Sequence, residues 1–506
     1  MLDWRAALVW RRGSPIWHRF AFSFLVSAGV PLFLLASLGH LELALYTMVG
    51  SMQALYGHDR PFRARARLLG ALTAGQTVAV VVALVLSCMR LPVAVVVVAG
   101  AITVTAQKLA CDAARVGPPA HAVLSFVTLA IMFGPETAVA AIPRDLALYL
   151  AAAAFAWLVS MAPWTWDRRG PVRHVVASAE RLVAAGDERR ATAAIAAAWD
   201  MLASEDARAS STFAFASRLL HAEHARLGLP LDPVTDAVVL GHLSTHRSHL
   251  PRHPVLARLA VGSPLWPAAL LCLVGTLAGG LTALALGIGR PYWAIVAAGA
   301  LYRGSTSVIW ERALLRTVGT IGGVGIYALV APLAHAGDVW LVTLTVLAGF
   351  GIETVVSRNY AVANLAVAPM ALLLTNVSRP QPTAVLMTSR ALDTALGALV
   401  GLAAAVLLTN RRATAAADSA LDAVHRAVAE TRHSLDDPRG RDCARRIHLR
   451  TRLWRTMADL EDAAHDALGE WRVPGVHAEH VAAALAAGRK SLLEVAQPPT
   501  DAPCPT

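Results

Sequence analysis

The stretch at residues 291–325, PYWAIVAAGALYRGSTSVIWERALLRTVGTIGGVG, holds the pattern from which the rest of the chain can be read. Its Tyr-Trp pair, Tyr292 and Trp293, opens an apolar run, and Arg312 and Arg316 follow four residues apart. Four residues make about one helical turn, so both guanidinium groups can share one face of a helix. We expect that face to lie at the edge of the membrane hydrocarbon.

Small residues follow these arginines directly. Gly319, Thr320 and Gly323 stand within an apolar run long enough to cross a bilayer. Glycines four residues apart remove side-chain bulk from one helix face, which lets a second helix approach closely in lipid. The spacing therefore predicts a close helix–helix contact.

An earlier stretch repeats the same spacing. Arg63 and Arg67 precede LLGALTAG, and the differences 312 − 63 and 316 − 67 both equal 249. The glycine that follows each arginine pair, Gly70 in the first stretch and Gly319 in the second, keeps the same offset. The pattern predicts a duplicated unit about half the chain long.

The composition is that of a membrane protein. Of the 506 residues, 56% are hydrophobic and 16% are charged, whereas soluble domains carry roughly 25% charge. The net charge of +11 could indicate nucleic acid, but no basic patch is interleaved with aromatic residues, so arginine-rich cytoplasmic loops explain it better. The five cysteines show no CxxC spacing and predict neither a disulfide framework nor a zinc site.

Apolar and polar segments alternate along the chain. We predict an all-α polytopic membrane protein with two repeated blocks of about six transmembrane helices, each followed by a cytoplasmic helical domain. The apolar runs are near 20–39, 41–56, 68–87, 91–109, 121–134, 146–163, 264–288, 292–308, 313–334, 339–357, 360–377 and 390–409. The predicted divisions are a first transmembrane block at 1–165, a helical domain at 166–262, a second transmembrane block at 263–410, a helical domain at 411–497 and a disordered tail at 498–506.

Arginine placement predicts the orientation. The segments that fall inside when the N-terminus is cytoplasmic are rich in arginine, and those that fall outside are short and sparsely charged. We therefore expect a multi-pass plasma-membrane protein with both termini and both helical domains in the cytoplasm. Blocks with an even number of helices enter from the same side, which allows a pathway between two pseudo-symmetric halves.

The 291–325 stretch resembles the signature of the fusaric acid resistance (FUSC) family of integral membrane transporters. The matching residues are Tyr292, Trp293, Ala294, Arg312, Arg316, Gly319, Thr320 and Gly323. The resemblance implies export of aromatic or other organic acids, and kinship with malate-type anion channels whose arginines line an anion path. The first copy departs from the signature, since it lacks the Tyr-Trp start and has Ala71 in place of the threonine.

The four repeated arginines are the candidate substrate-binding residues. Arg63, Arg67, Arg312 and Arg316 can bind a carboxylate through planar, charge-assisted hydrogen bonds. The alternative is that they anchor helix ends and set the topology. The resemblance adds Tyr292 and Trp293 to the expected substrate-binding set.

Two carboxylates fall inside predicted membrane helices. Glu353 and Asp393 each carry a burial cost of roughly 2.5–3.5 kcal/mol at the bilayer centre, so each is a candidate proton carrier for coupled export. The alternative for Asp393 is a structural pair with Arg390, one turn away.

Other chemistry is weakly indicated. His242, His246, His249 and His253 share one helical stripe, which we interpret as a solvated face and not as a metal site. No phosphate-binding loop or hydrolase motif occurs, so we expect no enzyme and no cofactor.

These observations favour a transporter that exports organic anions. The alternatives are a passive anion channel on the same scaffold and a non-transporting membrane scaffold. The expected partners are a small organic anion and the lipid bilayer, without nucleic acid, and the sequence permits a homo-oligomer.

Overall fold

The computed structural model describes most of the chain and divides it into two compact units. The described residues are 10, 13–134, 138–204, 210–229, 255, 258–260, 263, 265–378, 381–408, 412–436, 443–470 and 478–496. The membrane unit comprises Met1–His58, Arg65–Trp166 and Val255–Thr409, and the polar unit comprises Asp59–Ala64, Asp167–Pro254 and Asn410–Thr506. The histidine stripe at 242–253 and the tail at 498–506 lie outside the described residues.

All regular secondary structure in the described residues is helical, which confirms the predicted fold class. The first nine helices are α1 Trp17–Ser37, α2 Ala44–Ser51, α3 Phe62–Cys88, α4 Val93–Ala113, α5 His121–Met132, α6 Ile142–Met161, α7 Gly170–Ala184, α8 Glu188–Ser204 and α9 Ser210–Leu227. The next nine are α10 Leu265–Ala285, α11 Pro291–Gly299, α12 Thr306–Ala334, α13 Asp338–Val355, α14 Tyr360–Ser378, α15 Thr383–Leu408, α16 Arg412–Asp436, α17 Cys443–Leu468 and α18 Ala478–Ala496.

Nine helices in the described ranges are long and apolar enough to cross a membrane. They are α1, α3, α4, α6 with its flanking turns, α10, α12, α13, α14 and α15. Their outer faces are apolar, as Leu329 and Leu407 show with 81% and 73% exposure. Lipid tails solvate such side chains at no cost, so these faces indicate a multi-pass membrane protein.

Two of the apolar runs, near 41–56 and 292–308, contain short helices. Helix α2 has 8 residues and α11 has 9, about 12–14 Å at 1.5 Å per residue. Gly57 and Gly304, at corresponding places after the two helices, have φ of +71° and +68°. This left-handed conformation interrupts a helix and is favoured by glycine. Each block therefore combines long helices with one short helix at a corresponding position.

The contacts between helices follow the order of the two blocks. Helix α1 packs against α13, and α10 packs against α4; likewise α2 packs against α6, and α11 against α15. The offset of about 249 residues relates α1 to α10 and α4 to α13, so it converts the α1–α13 contact into the α10–α4 contact. It likewise converts the α2–α6 contact into the α11–α15 contact. The internal repeat stays a prediction, and this pairing supports it.

The polar unit joins the two polar regions of the chain around one core. Trp199 from the first region and Trp454 from the second are both buried in it. The two regions must therefore lie on the same side of the membrane, and the chain between them must cross an even number of times. Among the described residues, five helices long enough to cross lie between them, so we expect the α11 segment to provide a sixth crossing.

Candidate anion site in the second block

Arg312 and Arg316 of α12 both lie against Tyr360, the first residue of α14. The Arg312 guanidinium carbon is 4.9 Å from the centroid of the tyrosine ring, and Arg316 Nη1 donates to the tyrosine hydroxyl at 3.4 Å. Arg316 is buried, and the Nε atoms of both arginines are buried without a hydrogen-bond partner. A buried guanidinium without its full set of partners is costly, so an anion placed here would be stabilised.

The glycines after Arg316 explain how the site is held. A Cβ added at Gly319 would lie 2.7 Å from the Ala361 carbonyl oxygen, and one added at Gly323 would lie 2.7 Å from the Leu365 carbonyl oxygen. Both distances are shorter than van der Waals contact, so α12 and α14 approach as closely as backbones allow. Thr320 is buried on the same face. This packing brings Arg316 beside Tyr360.

A second charged group lies at the start of α11. Arg390 of α15 is 1% exposed, and its guanidinium carbon is 3.7 Å from the ring centroid of Trp293. Tyr292 and Trp293 are both buried, with their ring centroids 4.4 Å apart. Asp393 is also buried, and its Oδ2 accepts the backbone N–H of Arg290 at 2.8 Å. Asp393 thus accepts a backbone donor at the N-terminus of α11 and interacts electrostatically with Arg390, and the structural pair with Arg390 stays a prediction.

These groups belong to one chain of positive charges, which we call the arginine series. Neighbouring members interact electrostatically: Arg303 with Arg312, and Arg316 with Arg390. Arg316 is ten residues from the start of α12, about 15 Å along the helix, and Arg390 is seven residues from the start of α15, about 10 Å. Both arginines therefore lie well inside helices that are long and apolar enough to cross a membrane. The series is Arg303, Arg312, Arg316, Arg390 and Arg290.

The comparisons with known proteins find a family that is similar to this block. Residues 265–404 match the sequence model of the fusaric acid resistance protein-like family. The FUSC block, as we call residues 265–404, carries all five members of the arginine series, and the resemblance inferred from its motif is confirmed.

One curated relative also matches. A Bacillus subtilis (strain 168) protein described as the uncharacterized membrane protein YvaC is 32% identical over 154 residues, which are 30% of this chain and 24% of that protein. The match therefore spans about a quarter of the relative. No solved structure matches the chain. Together with the nine apolar helices, the comparisons indicate a membrane protein of a transport-type family, which is not a family of enzymes.

The first block does not repeat the arrangement of the FUSC block. Arg63 and Arg67 are exposed on α3, whereas Arg65 between them is buried. Arg65 donates to the carbonyl oxygens of Tyr56 at 3.2 Å and Ser160 at 2.8 Å. Its donors thus bind backbone, and the buried faces of α3 and α12 are not at equivalent positions. A substrate role for Arg63 and Arg67 stays a prediction.

Glu353 lies near the end of α13 and is half-buried. It interacts electrostatically with Tyr56 of the first block, whose hydroxyl donates to the Ala120 carbonyl oxygen at 2.6 Å. Glu353 is therefore placed among residues of both blocks. Its expected role as a proton carrier stays a prediction.

The first block instead contains a network of neutral polar side chains, which the sequence reasoning missed. Gln53 donates to the Tyr149 hydroxyl at 2.9 Å. Gln107 donates to the Gln76 amide oxygen at 3.0 Å and to the Thr128 hydroxyl at 2.9 Å. Inside hydrocarbon, such groups are stable when they bond one another, and they join α3, α4, α5 and α6. The glutamines that interrupt the apolar runs were the sequence feature that could have predicted this network.

Proposed function

We propose that the chain is a transporter that exports organic anions, aromatic carboxylic acids among them, along the arginine series. The observation that carries the proposal is the pair Arg316 and Arg390, both buried on candidate membrane-spanning helices and both with guanidinium nitrogens that lack partners. A series of arginine donors in a low-dielectric interior selects anions, and the planar guanidinium matches the geometry of a carboxylate. The direction of transport follows from the family resemblance.

The short helices α2 and α11 support the proposal. Discontinuous helices at corresponding positions of two repeats are typical of substrate sites in transporters, because half-helix ends and freed backbone groups point into the pathway. The chain after α11 leaves the helical conformation at residues 300–305, where Leu301 and Tyr302 are buried. Non-helical backbone at membrane depth is tolerated only inside protein or beside a water-filled cavity.

The energy source is the second part of the proposal. Asp393 and Glu353 are the candidate proton carriers, because an ionisable carboxylate inside a membrane segment is usually functional. We expect efflux to depend on the proton gradient. Efflux from vesicles that persists after the pH gradient is collapsed would favour a passive anion channel on the same scaffold.

The proposal can be tested in cells that lack this chain. Such cells should become sensitive to a subset of aromatic and aliphatic carboxylic acids, and the wild-type chain should restore resistance. Arg316→Gln should fail to restore it, because the buried anion site loses its charge. Arg189→Gln removes an exposed guanidinium of the polar unit that pairs with Asp462, so it is the control and should restore resistance. Equal rescue by both variants would contradict the proposed route.

A further inference from the structure

The loop between α4 and α5, residues 114–120, is bound by side chains from other parts of the membrane unit. The Tyr56 hydroxyl donates to the carbonyl oxygen of Ala120 at 2.6 Å, and both residues are buried. Arg303 Nη2, from the second block, donates to the carbonyl oxygen of Pro119 at 3.1 Å. Two neighbouring carbonyl groups of the loop are therefore held by residues that are distant in sequence.

The residues that flank the loop make further contacts of this kind. His121, which begins α5, is 1% exposed, and its Nε2 donates to the carbonyl oxygen of Gly299 at 3.0 Å. Gly299 ends α11, and the last carbonyl groups of a helix lack partners within the helix, so His121 caps α11. On the other side of the loop, Arg258 Nη1 donates to the carbonyl oxygen of Ala113 at 2.9 Å. The loop therefore fastens the first block to the segment that follows α11.

The backbone of the loop is strained near both of its ends. Arg115 has φ of +48°, and Ala120 has φ of +52° with ψ of −137°. Neither residue is glycine, although this region of φ favours glycine. Such a conformation persists only where surrounding contacts impose it, and it is concentrated in switch regions. The bonds to Pro119 and Ala120 supply those contacts, so their loss lets the loop relax into another conformation.

Arg303 is the member of the arginine series that touches the loop. Its guanidinium interacts electrostatically with Arg312 in the series and with Asp112 near the end of α4. An anion that reaches this end of the series competes with the neutral Pro119 carbonyl for the same guanidinium. A hydrogen bond to a charged acceptor is roughly twice as strong as one to a neutral acceptor, so the anion should displace the carbonyl. Its arrival then removes one of the bonds that hold the strained loop.

We propose that the 114–120 loop is a latch that closes the Arg303 end of the arginine series, and that an anion opens it by taking Arg303 from Pro119. Opening also frees the contact of His121 with α11, so the two blocks separate at this end. The coupling is reciprocal, because whatever loosens the latch raises the affinity for the anion by the same factor. The inference rests on the proposed function, and it names how the same route is regulated.

The first test measures how often the latch opens, without any transport. Hydrogen–deuterium exchange of the loop is followed by mass spectrometry in the purified full-length chain in detergent. Tyr56→Phe keeps the ring and removes the donor to Ala120, so exchange should be at least about threefold faster. Ala120→Gly relieves the strain of the closed loop, so exchange, corrected for the intrinsic rate, should be at least about twofold slower. Tyr149→Phe is the matched control, because Tyr149 is also buried but its hydroxyl accepts from Gln53, and it should leave the exchange of the loop unchanged.

The second test adds the anion. Excess benzoate should speed exchange of the loop in the wild type, benzamide should not, and neither should have an effect in Arg303→Gln. The latch is refuted if Tyr56→Phe is no faster than the wild type, if Tyr149→Phe is equally fast, or if Ala120→Gly is no slower.

The outcomes with benzoate separate the latch from the transport. If benzoate crosses proteoliposomes that contain the wild type but leaves the exchange of the loop unchanged, the latch is wrong and the proposed function stands. If benzoate loosens the loop but does not cross, the proposed function is wrong and the latch stands. If it does neither, both are wrong.

Discussion

The contact between α12 and α14 allows one substitution to be predicted in detail. In Gly323→Ala, the new methyl group would lie 2.7 Å from the Leu365 carbonyl oxygen and 2.8 Å from the Ala368 methyl carbon. Neither neighbour is the end of a flexible side chain, so the two helices must separate by several tenths of an ångström. Overpacking of this kind costs about 1–3 kcal/mol.

A matched control lies on the same helix. Gly325→Ala places the same methyl group where nothing lies within 4 Å, so it should leave stability unchanged or raise it by about 0.5–1 kcal/mol through the higher helix propensity of alanine. Thermal unfolding of both variants in the same detergent, followed by size-exclusion chromatography, gives the comparison. Equal melting temperatures for the two variants would refute the close packing of α12 on α14.

Further predictions concern the polar unit. Burial raises the pKa of Glu461 to about 7 from its ordinary value of 4.5. The folded protein therefore keeps a proton that the unfolded chain releases, and the free energy of unfolding falls as pH rises from about 4.5 to 7. Glu461→Gln should raise stability at pH 8 by about 1–2 kcal/mol after allowance for its partial exposure, as denaturant titration can measure; no change would contradict this. Glu223→Ala should cost about 3–5 kcal/mol, because it leaves the buried guanidinium of Arg450, 2.5 Å away, without its carboxylate. Glu180→Ala, which breaks the more exposed pair with Arg218, should cost about 0–1 kcal/mol, and an equal loss in both would contradict the burial argument.

The sequence predicted the membrane helices because lipid requires long apolar runs, and those runs are visible without a structure. Several of the runs are visibly short, but the sequence did not predict that helices α2 and α11 have only 8 and 9 residues. Their apolar composition continues past Ser51 and Gly299, while the interruption depends on backbone conformation at Gly57 and Gly304. Hydropathy does not register that conformation.

The sequence selected some of the buried arginines of the candidate site but could not tell which of the selected side chains are buried. The motif identified Arg316, which is buried, but the same offset also selected Arg67, which is exposed. Spacing along a helix defines which residues share a face, but packing decides which face is buried. Arg390 entered the sequence reasoning only as a partner for Asp393. Its stacking on Trp293 brings together residues about 100 positions apart, a contact that no local pattern encodes.

The central claim is that buried arginines of the FUSC block carry organic anions across the membrane. The most direct test is the flux of radiolabelled benzoate through proteoliposomes that contain the purified chain at matched density. We predict saturable flux for the wild type and for the polar-unit control Arg189→Gln, and a loss of at least about tenfold for Arg316→Gln. Undiminished flux through Arg316→Gln, in protein that melts at the wild-type temperature, would contradict the claim.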